Sequence, residues 1–444
     1  MDTAPLLASA PLSFVMPDFD SAILSNGTPV YVVPSTTKDI LTITLAMRSG
    51  SSRDVIHGET AMTMEMLKQG TTRHSAKEFN EEVESRGCWI RTSVDHDGAT
   101  VQATGLGEWF EDLAGFVSDC VMRPLLLQDE LDKMRARVVA DMRIDMADVD
   151  WLASRAASQG AYEAHPYAFS SLGSPASLAT LGVEHLHAAH RRLLTAPRWI
   201  IVAGPVTRDH ALSVLEKAFG QMPAVSTQAE VPTPVKRRNV GVVAGLDEAV
   251  QTSFRIIIPA LPMGHPDYAA AQLTTTVLGG YTLARLFTIL REEKGYTYGA
   301  YASPLVRSLD AVIVLSTSVG NDFTADTIAT IAAEVKRLGS ERIDDDEIDN
   351  ARRYILGSFA RSCETPQQTA WLVHSLLTNA LPFDYFEQYV RQIQQLNADD
   401  LLDVQRRIYS TDQWVVGASG VPALVDSAIR PHVGLVESWN RQGY

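Results

Sequence analysis

The chain has 444 residues, of which 45% are hydrophobic and 20% are charged, and its formal net charge at pH 7 is −15. This is an ordinary globular composition, and the length allows roughly two to four domains with sizeable cores. The acidic balance argues against a nucleic-acid-binding protein, which would present a basic patch, and it fits a surface that attracts basic peptides.

Cysteine usage and hydropathy exclude further classes of protein. Cys88, Cys120 and Cys363 lie far apart without a C-x-x-C pair, so neither a disulfide framework nor a zinc ribbon is indicated. No apolar run reaches about 18 residues, so no transmembrane helix is expected. The first residues also lack the basic and apolar segments of a signal peptide. We therefore expect a soluble protein, with the cytoplasm preferred and the periplasm left open if a signal peptide has been removed.

The first half of the chain alternates predicted strands and helices after an extended lead-in over residues 1–20. Asn26-Gly27 between two β-prone runs predicts a hairpin, and Ser75 with Glu78 predicts a capping box at a helix start. The predicted strands cover residues 22–24, 30–33, 41–47, 89–93, 99–104 and 199–203. The predicted helices cover residues 57–70, 75–86, 109–121, 126–146, 152–164, 183–194 and 209–219.

The second half repeats this order after a predicted linker at residues 223–234, a polar run between prolines. Its predicted strands cover residues 254–258, 296–303, 311–317 and 414–417. Its predicted helices cover residues 268–278, 284–293, 324–338, 344–363, 365–381 and 397–408.

Identical residues also recur at constant spacing in the two halves. His57 and His265 are 208 positions apart, and Trp199 and Trp414 are 215 apart. The segments around the two tryptophans, HRRLLTAPRWIIVAGPV and QRRIYSTDQWVVGASGV, align without a gap. Several such pairs in one order indicate a duplicated α/β unit of about 200 residues, with two unrelated α/β domains as the alternative.

Residues 57–71, HGETAMTMEMLKQGT, resemble the segment G-x-A-H-x-x-E-H-M-L-x-x-G-T of the pitrilysin/insulinase family of zinc peptidases. In that family, two histidines on one helix face bind Zn²⁺, and the glutamate before the second histidine activates the attacking water. The residues of this chain that keep the frame are Gly58, Met66, Leu67, Gly70 and Thr71.

The residues that would carry the zinc chemistry differ from the family motif. Ala61 stands at the position of the first histidine, Met64 at the catalytic glutamate and Glu65 at the second histidine. The family's third ligand is a glutamate roughly 75 residues further on, in a helix reading V-V-x-E, and the matching position here is Asp141. The resemblance therefore implies degenerate metal positions and no metal bound by this chain.

Two other interpretations of this segment stay open. Residues 61–67 could form an ordinary buried amphipathic helix without any relation to a metal site. A repurposed metal site could instead use His57, Glu65 and Asp141, although His57 precedes the helix.

A second resemblance lies in the second half. Residues 278–287, LGGYTLARLF, and residues 290–298, LREEKGYTY, are similar to the family's L-G-G-G-x-x-S-R-L-F and L-R-E-x-x-G-L-A-Y. In family members with this pattern, the arginine and the tyrosine seven residues later reach the zinc-bound substrate, which implies this role for Arg291 and Tyr298. Arginine can fork onto a carbonyl or carboxylate, and a tyrosine hydroxyl can donate to a developing oxyanion. Alternatively, Arg291 pairs with a nearby carboxylate and Tyr298 is a half-buried strand residue.

The resemblance covers about residues 20–425 and implies an α+β fold. This fold comprises two homologous α/β-roll domains, at residues 21–222 and 235–444, each with a mixed sheet covered by helices. The resemblance also implies a clam-like dimer around a peptide chamber. In the branch of the mitochondrial processing peptidases, one subunit carries the zinc motif while its partner lacks it and keeps the Arg–Tyr pair. This chain resembles that partner.

The expected function is therefore that of a non-catalytic subunit in a heterodimeric zinc metallopeptidase. This chain would bind no cofactor, the homologous partner would hold the zinc, and the substrate would be a peptide or an unfolded polypeptide. Three alternatives remain: a structural subunit like the core proteins of respiratory complexes, a peptide-binding scaffold in peptide maturation, and an independent metallopeptidase with a different ligand set.

Overall fold

A computed structural model describes residues 14–35, 38–225, 235–236, 238–410 and 412–439, and two six-stranded sheets organise them. The strands of the first sheet are β1 (Asp20–Ile23), β2 (Pro29–Pro34), β3 (Ile40–Met47), β4 (Trp89–Val94), β5 (Ala99–Leu106) and β6 (Arg198–Gly204). Those of the second sheet are β7 (Val240–Gly245), β8 (Gln251–Pro259), β9 (Ala300–Arg307), β10 (Asp310–Gly320), β11 (Val415–Gly420) and β12 (Val436–Ser438).

Helices fill the connections between these strands. Those of the first half are α1 (Glu59–Met66), α2 (Ala76–Ser85), α3 (Phe110–Met122), α4 (Gln128–Asp145), α5 (Val149–Tyr162), α6 (Pro175–Ala179), α7 (Val183–Thr195) and α8 (Arg208–Phe219). Those of the second half are α9 (Tyr268–Thr275), α10 (Arg285–Phe287), α11 (Thr324–Ser340), α12 (Asp345–Ala360), α13 (Pro366–Thr378), α14 (Tyr385–Gln395), α15 (Ala398–Tyr409) and α16 (Pro422–Ile429).

The two sheets share one topology, which confirms the predicted duplication. The strand order is β1-β2-β6-β3-β5-β4 in the first sheet and β12-β7-β11-β8-β10-β9 in the second. In each sheet, one parallel pair (β2–β6 or β7–β11) is followed by three antiparallel pairs. Only the outermost strand differs, because β1 pairs antiparallel with β2 whereas β12 pairs parallel with β7.

Each half lends one helix to the sheet of the other half. Helix α5 of the first half packs on β7, β8 and β11, and helix α13 of the second half packs on β3 and β6. The period-2 alternation of strand side chains divides each sheet between two cores. In β6, for example, Ile200 and Val202 face the helices of their own half, whereas Trp199 and Ile201 face α13. The central strands β6 and β11 are therefore buried on both faces.

Small residues let α5 approach the second sheet closely. A Cβ atom added at Gly417 of β11 would lie 2.2 Å from the backbone nitrogen of Ala157 and 2.5 Å from the carbonyl oxygen of Ala153. On the helix, a Cβ at Gly160 would lie 2.7 Å from a methyl group of Val415. Because the Cβ at residue 417 would meet backbone atoms, the contact between the halves requires glycine there.

Most predicted elements are confirmed within a few residues, and the Ser75–Glu78 capping box is present. The predicted strand 296–303 is wrong at its start, because β9 begins at Ala300 and residues 296–299 are irregular. Residues 1–13 of the predicted lead-in and 226–234 of the predicted linker lie outside the described residues. Five elements were not predicted from the sequence: β7, β12, α6, α14 and α16.

One described helical run, Tyr268–Glu293, is long and apolar enough to cross a membrane by length and composition alone. However, 67% of its most apolar stretch is buried inside the protein, and α9 within it packs against α15 and β9. The run therefore has the contacts of a core helix.

We expect Gly417→Ala to destabilise the protein by about 1–3 kcal/mol or more, because the new methyl group overlaps the backbone of α5. The matched control is Gly357→Ala in the exposed interior of α12, where an added Cβ meets nothing within 4 Å. That change should stabilise the helix by about 0.5–1 kcal/mol. Denaturant unfolding measures both variants, and equal stability of Gly417→Ala and wild type would contradict the described approach of α5 to the sheet.

Candidate functional site

The start of α1 is fixed by backbone geometry and by the half-buried carboxylate of Asp54. Gly58 has a φ of 95°, and a Cβ there would lie 2.5 Å from the carbonyl oxygen of Leu172. The backbone N–H groups of Gly58 and Thr60 donate to the Asp54 carboxylate over 2.9 Å and 3.2 Å. Burial raises the pKa of Asp54 to about 7 despite these hydrogen bonds. The backbone conformation and the close contact with Leu172 therefore explain why glycine stands at position 58.

Two of the degenerate metal positions are filled by buried apolar side chains. Ala61 is 4% exposed and Met64 is 1% exposed. Met64 belongs to the core that packs on the first sheet, so the position of a catalytic base is occupied by a core residue. Neither side chain offers zinc a ligand.

Glu65, at the second histidine position, has protein partners. The hydroxyl of Thr92 donates to one carboxylate oxygen over 3.3 Å, and Nη2 of Arg137 lies 3.6 Å from the other. Arg137 lies one helical turn before Asp141 on α4, and Asp141 is exposed. A guanidinium thus supplies positive charge beside the carboxylate that replaces a zinc ligand. Arg137 was not predicted as part of the site, although it directly precedes the four residues, 138–141, that match the family's V-V-x-E.

These residues do not fit a zinc ion. Two carboxylates without histidine or cysteine form a poor zinc site, and an arginine cation already occupies the neighbourhood of one of them. His57, the third member of the alternative site, stacks on Phe169 with ring centroids 3.9 Å apart. Among the described residues, no group of three or more His, Cys, Asp or Glu side chains could hold a metal ion.

The segment that carries Arg291 is anchored by another arginine. Arg285, whose side chain is 6% exposed, donates from Nε and Nη2 to the two carboxylate oxygens of Glu347 on α12, each over 2.7 Å. Such a bidentate pair fixes orientation as well as charge. Tyr281, at the position of the family's third glycine, stacks on Tyr354 of the same helix with centroids 5.0 Å apart.

Arg291 lies in a π-helical turn, Thr288–Glu293, and its side chain is 45% exposed. Its guanidinium carbon is 4.8 Å from the centroid of the Phe287 ring, and Nε is 3.5 Å from the exposed carboxylate of Glu292. An exposed contact of this kind contributes little energy. The guanidinium is thus oriented by an aromatic ring and stays accessible to solvent.

Tyr298 lies in the irregular segment before β9 and is 90% exposed. Its description as a half-buried strand residue is therefore wrong. Within the described part of the chain, its hydroxyl has no hydrogen bond. The two residues of the candidate pair are consequently both accessible, and they flank the turn at Gly295, where φ is 69°.

We expect the purified chain to hold less than stoichiometric zinc after incubation with zinc and dialysis, because Ala61, Met64 and the paired Glu65 do not form a ligand set. Elemental analysis measures this. Glu65→Gln serves as the comparison, since loss of one carboxylate should leave the zinc content unchanged. One tightly held zinc ion per chain, lost in Glu65→Gln, would overturn this assignment.

Known proteins that are similar to this chain match residues from both halves. Residues 180–355 match the family model described as the peptidase M16 inactive domain. A Helicobacter pylori protein named "non-peptidase homolog YmxG" is 22% identical, over 81% of this chain and 84% of that protein. A Bacillus subtilis protein named "uncharacterized zinc protease YmxG" is also 22% identical, over 77% of this chain and 83% of that protein.

A shorter match joins the chain to a eukaryotic protein, the mitochondrial-processing peptidase subunit alpha of Solanum tuberosum. The two are 25% identical over 40% of this chain and 35% of that subunit. Among solved structures, the crystal structure of the peptidase M16 inactive domain from Pseudomonas fluorescens superposes with a TM-score of 0.84 at 21% identity, covering 91% of this chain and 98% of that chain. This likeness confirms the α+β fold with its two mixed sheets. The matched model and the named relatives show that the chain is similar to M16 peptidase-family proteins, among them a non-peptidase homologue.

Proposed function

We propose that this protein is the non-catalytic subunit of a heterodimeric zinc metallopeptidase. In this proposal, Arg291 and Tyr298 contact the peptide substrate at the active site of a homologous, zinc-bearing partner. The two subunits close like a clam around the chamber that holds a peptide or an unfolded polypeptide. We propose the cytoplasm as the compartment, with the periplasm as the alternative.

The observation that carries the proposal is a difference in burial between neighbouring polar residues of one segment. Arg285 is buried and bound to Glu347, so its role is structural. Arg291 and Tyr298 remain accessible, and Tyr298 exposes 90% of its surface. A large aromatic residue that is almost fully exposed contributes little to folding, whereas such residues are common where proteins contact a partner or a ligand.

The chemistry of the pair suits an extended peptide. The Arg291 guanidinium can donate two parallel hydrogen bonds to a peptide carbonyl or carboxylate. The Tyr298 hydroxyl can donate one hydrogen bond to an oxygen on which negative charge develops during cleavage. Neither residue takes or gives the reacting proton in this proposal, which agrees with the absence of a general base at Met64.

The alternative is a scaffold that binds peptides or stabilises an assembly and takes no part in catalysis. The contacts of Arg291 with Phe287 and Glu292 favour it, because a local role would account for the arginine. The name of the Helicobacter pylori relative, a non-peptidase homologue, is compatible with both functions.

We expect Tyr298→Phe to lower the cleavage rate of the reconstituted heterodimer by about 10²-fold, the lower end of the cost of losing one oxyanion donor. Arg291→Ala should also weaken substrate binding, because it removes a charged fork. The measurement is turnover and KM with the partner held as wild type. Matched controls are Tyr31→Phe, which removes a hydroxyl in the first half, and Arg406→Ala, which removes an exposed arginine on α15.

The yield of heterodimer distinguishes the possible causes of lost activity. Both variants should assemble normally, because two polar side chains facing a chamber contribute little to a large interface. Full activity of both variants in an intact heterodimer would favour the scaffold. A partner that is fully active alone and unaffected by this chain would refute the accessory-subunit function.

A further inference from the structure

A cavity of about 240 Å³ lies where the two halves of the chain meet, away from Arg291 and Tyr298. One wall comes from β3, β6 and the β4–β5 turn of the first half. The other wall comes from the end of β9 and from the exchanged helix α13. The side chains that matter for its chemistry are those of Arg48, Trp199, Arg307 and His374.

Three of these residues carry a buried nitrogen without a protein hydrogen-bond partner in the described structure. These atoms are Nε1 of Trp199, Nη1 of Arg307 and Nδ1 of His374. Trp199 is only 7% exposed. Buried polar groups are almost always hydrogen-bonded, and each exception calls for a specific explanation. Three exceptions on the wall of one cavity point to a shared partner inside it.

Arg307 is held at the cavity by two aromatic rings instead of a carboxylate. Its guanidinium carbon lies 5.3 Å from the ring centroid of Tyr162 and 4.7 Å from that of Tyr167. The Arg307 guanidinium makes no ion pair or hydrogen bond within the described ranges. The rings orient the cation and leave its fork available for an acceptor.

Three of the four carboxylate oxygens of Asp95 and Asp97 on the cavity wall already accept hydrogen bonds. Oδ1 of Asp95 accepts from the backbone N–H groups of Asp97 and Gly98, each over 2.7 Å. Asp97 accepts from the Tyr167 hydroxyl and, over 2.8 Å, from the backbone N–H of Ser308. These bonds join the β4–β5 and β9–β10 turns across the two halves. The groups left over are therefore mostly donors.

His374 adds a neutral ring to this set. Burial lowers its pKa, while the charge of nearby Asp95 opposes the shift. Its Nε2 lies 3.4 Å from the hydroxyl of Thr378. When that hydroxyl donates to Nε2, the ring carries its proton on Nδ1 and presents it as a further donor.

We propose that this cavity binds a small oxyanion, a carboxylate or a phosphate, through Arg307, Trp199 and His374, with Arg48 at the rim. The volume admits a single ion or the end of a peptide chain. The two sources share one chemistry, an acceptor-rich anion that satisfies the three donors and the charge of Arg307. This site is independent of the proposed role of Arg291 and Tyr298.

The test uses the full chain labelled with ¹⁵N at its seven tryptophans, and Trp199→Phe assigns the indole signal of Trp199. The probes are inorganic phosphate and N-acetylglycine, with N-acetylglycinamide and chloride at equal ionic strength as controls. We expect at least one of the two oxyanions to shift the Trp199 signal saturably, below about 10 mM. A response to phosphate alone identifies an inorganic anion, and a response to N-acetylglycine alone identifies a carboxylate terminus.

Arg307→Gln should weaken this binding about tenfold or more, because it removes the charged fork. The matched control is Arg91→Gln, since Arg91 also lies over an aromatic ring, that of Trp89 at 4.6 Å, but does not line the cavity. An unchanged affinity in folded Arg307→Gln would overturn the proposal. A Trp199 signal that does not shift with either oxyanion, or that shifts equally with chloride, would also overturn it. This titration uses the wild-type protein, so it tests the proposal even if Arg307→Gln does not fold.

Discussion

The exchange of helices between the two halves is the constraint on which the rest of the structure depends. Each sheet is covered on one face by helices of its own half and on the other by α5 or α13 from the opposite half. Because Gly417 allows the backbones to touch, α5 lies closer to the second sheet than ordinary side chains would permit. The relative position of the halves is thereby set by core packing, and the cavity between them inherits that rigidity.

The first half has kept the frame of a zinc site and replaced its contents with interactions that favour folding. Gly58 is still required by its backbone conformation, while Met64 fills the core and Glu65 contacts Thr92 and Arg137. A zinc site needs ligands held apart and partly unsatisfied until the metal binds, which makes the empty site costly. In the described structure Met64 packs in the core and Glu65 has protein partners, so neither position holds a side chain that waits for a metal.

Local sequence features predicted most of the strands and helices, because side-chain periodicity and capping act over few residues. They did not distinguish which sheet a helix covers: the small residues of α5 look the same whether the helix packs on its own half or on the other. The start of β9 was also missed. Tyr296 and Tyr298 suit a strand by type, yet Gly295 adopts a positive φ and the chain joins β10 only from Ala300. The partnership of Glu65 with Arg137 depends on the packing of α1 against α4, which no short pattern contains.

The exchanged helices also affect how the chain must fold as it is synthesised. When β6 emerges from the ribosome, the first sheet can form, but Trp199, Ile201 and Ala203 lack the cover of α13 until Pro366–Thr378 follows. During that interval an apolar sheet face is open to solvent, the kind of surface that promotes aggregation and recruits chaperones. The two halves are therefore one folding unit despite their duplicated architecture, and a chain divided between them would leave each fragment with a sheet that its own residues cannot bury.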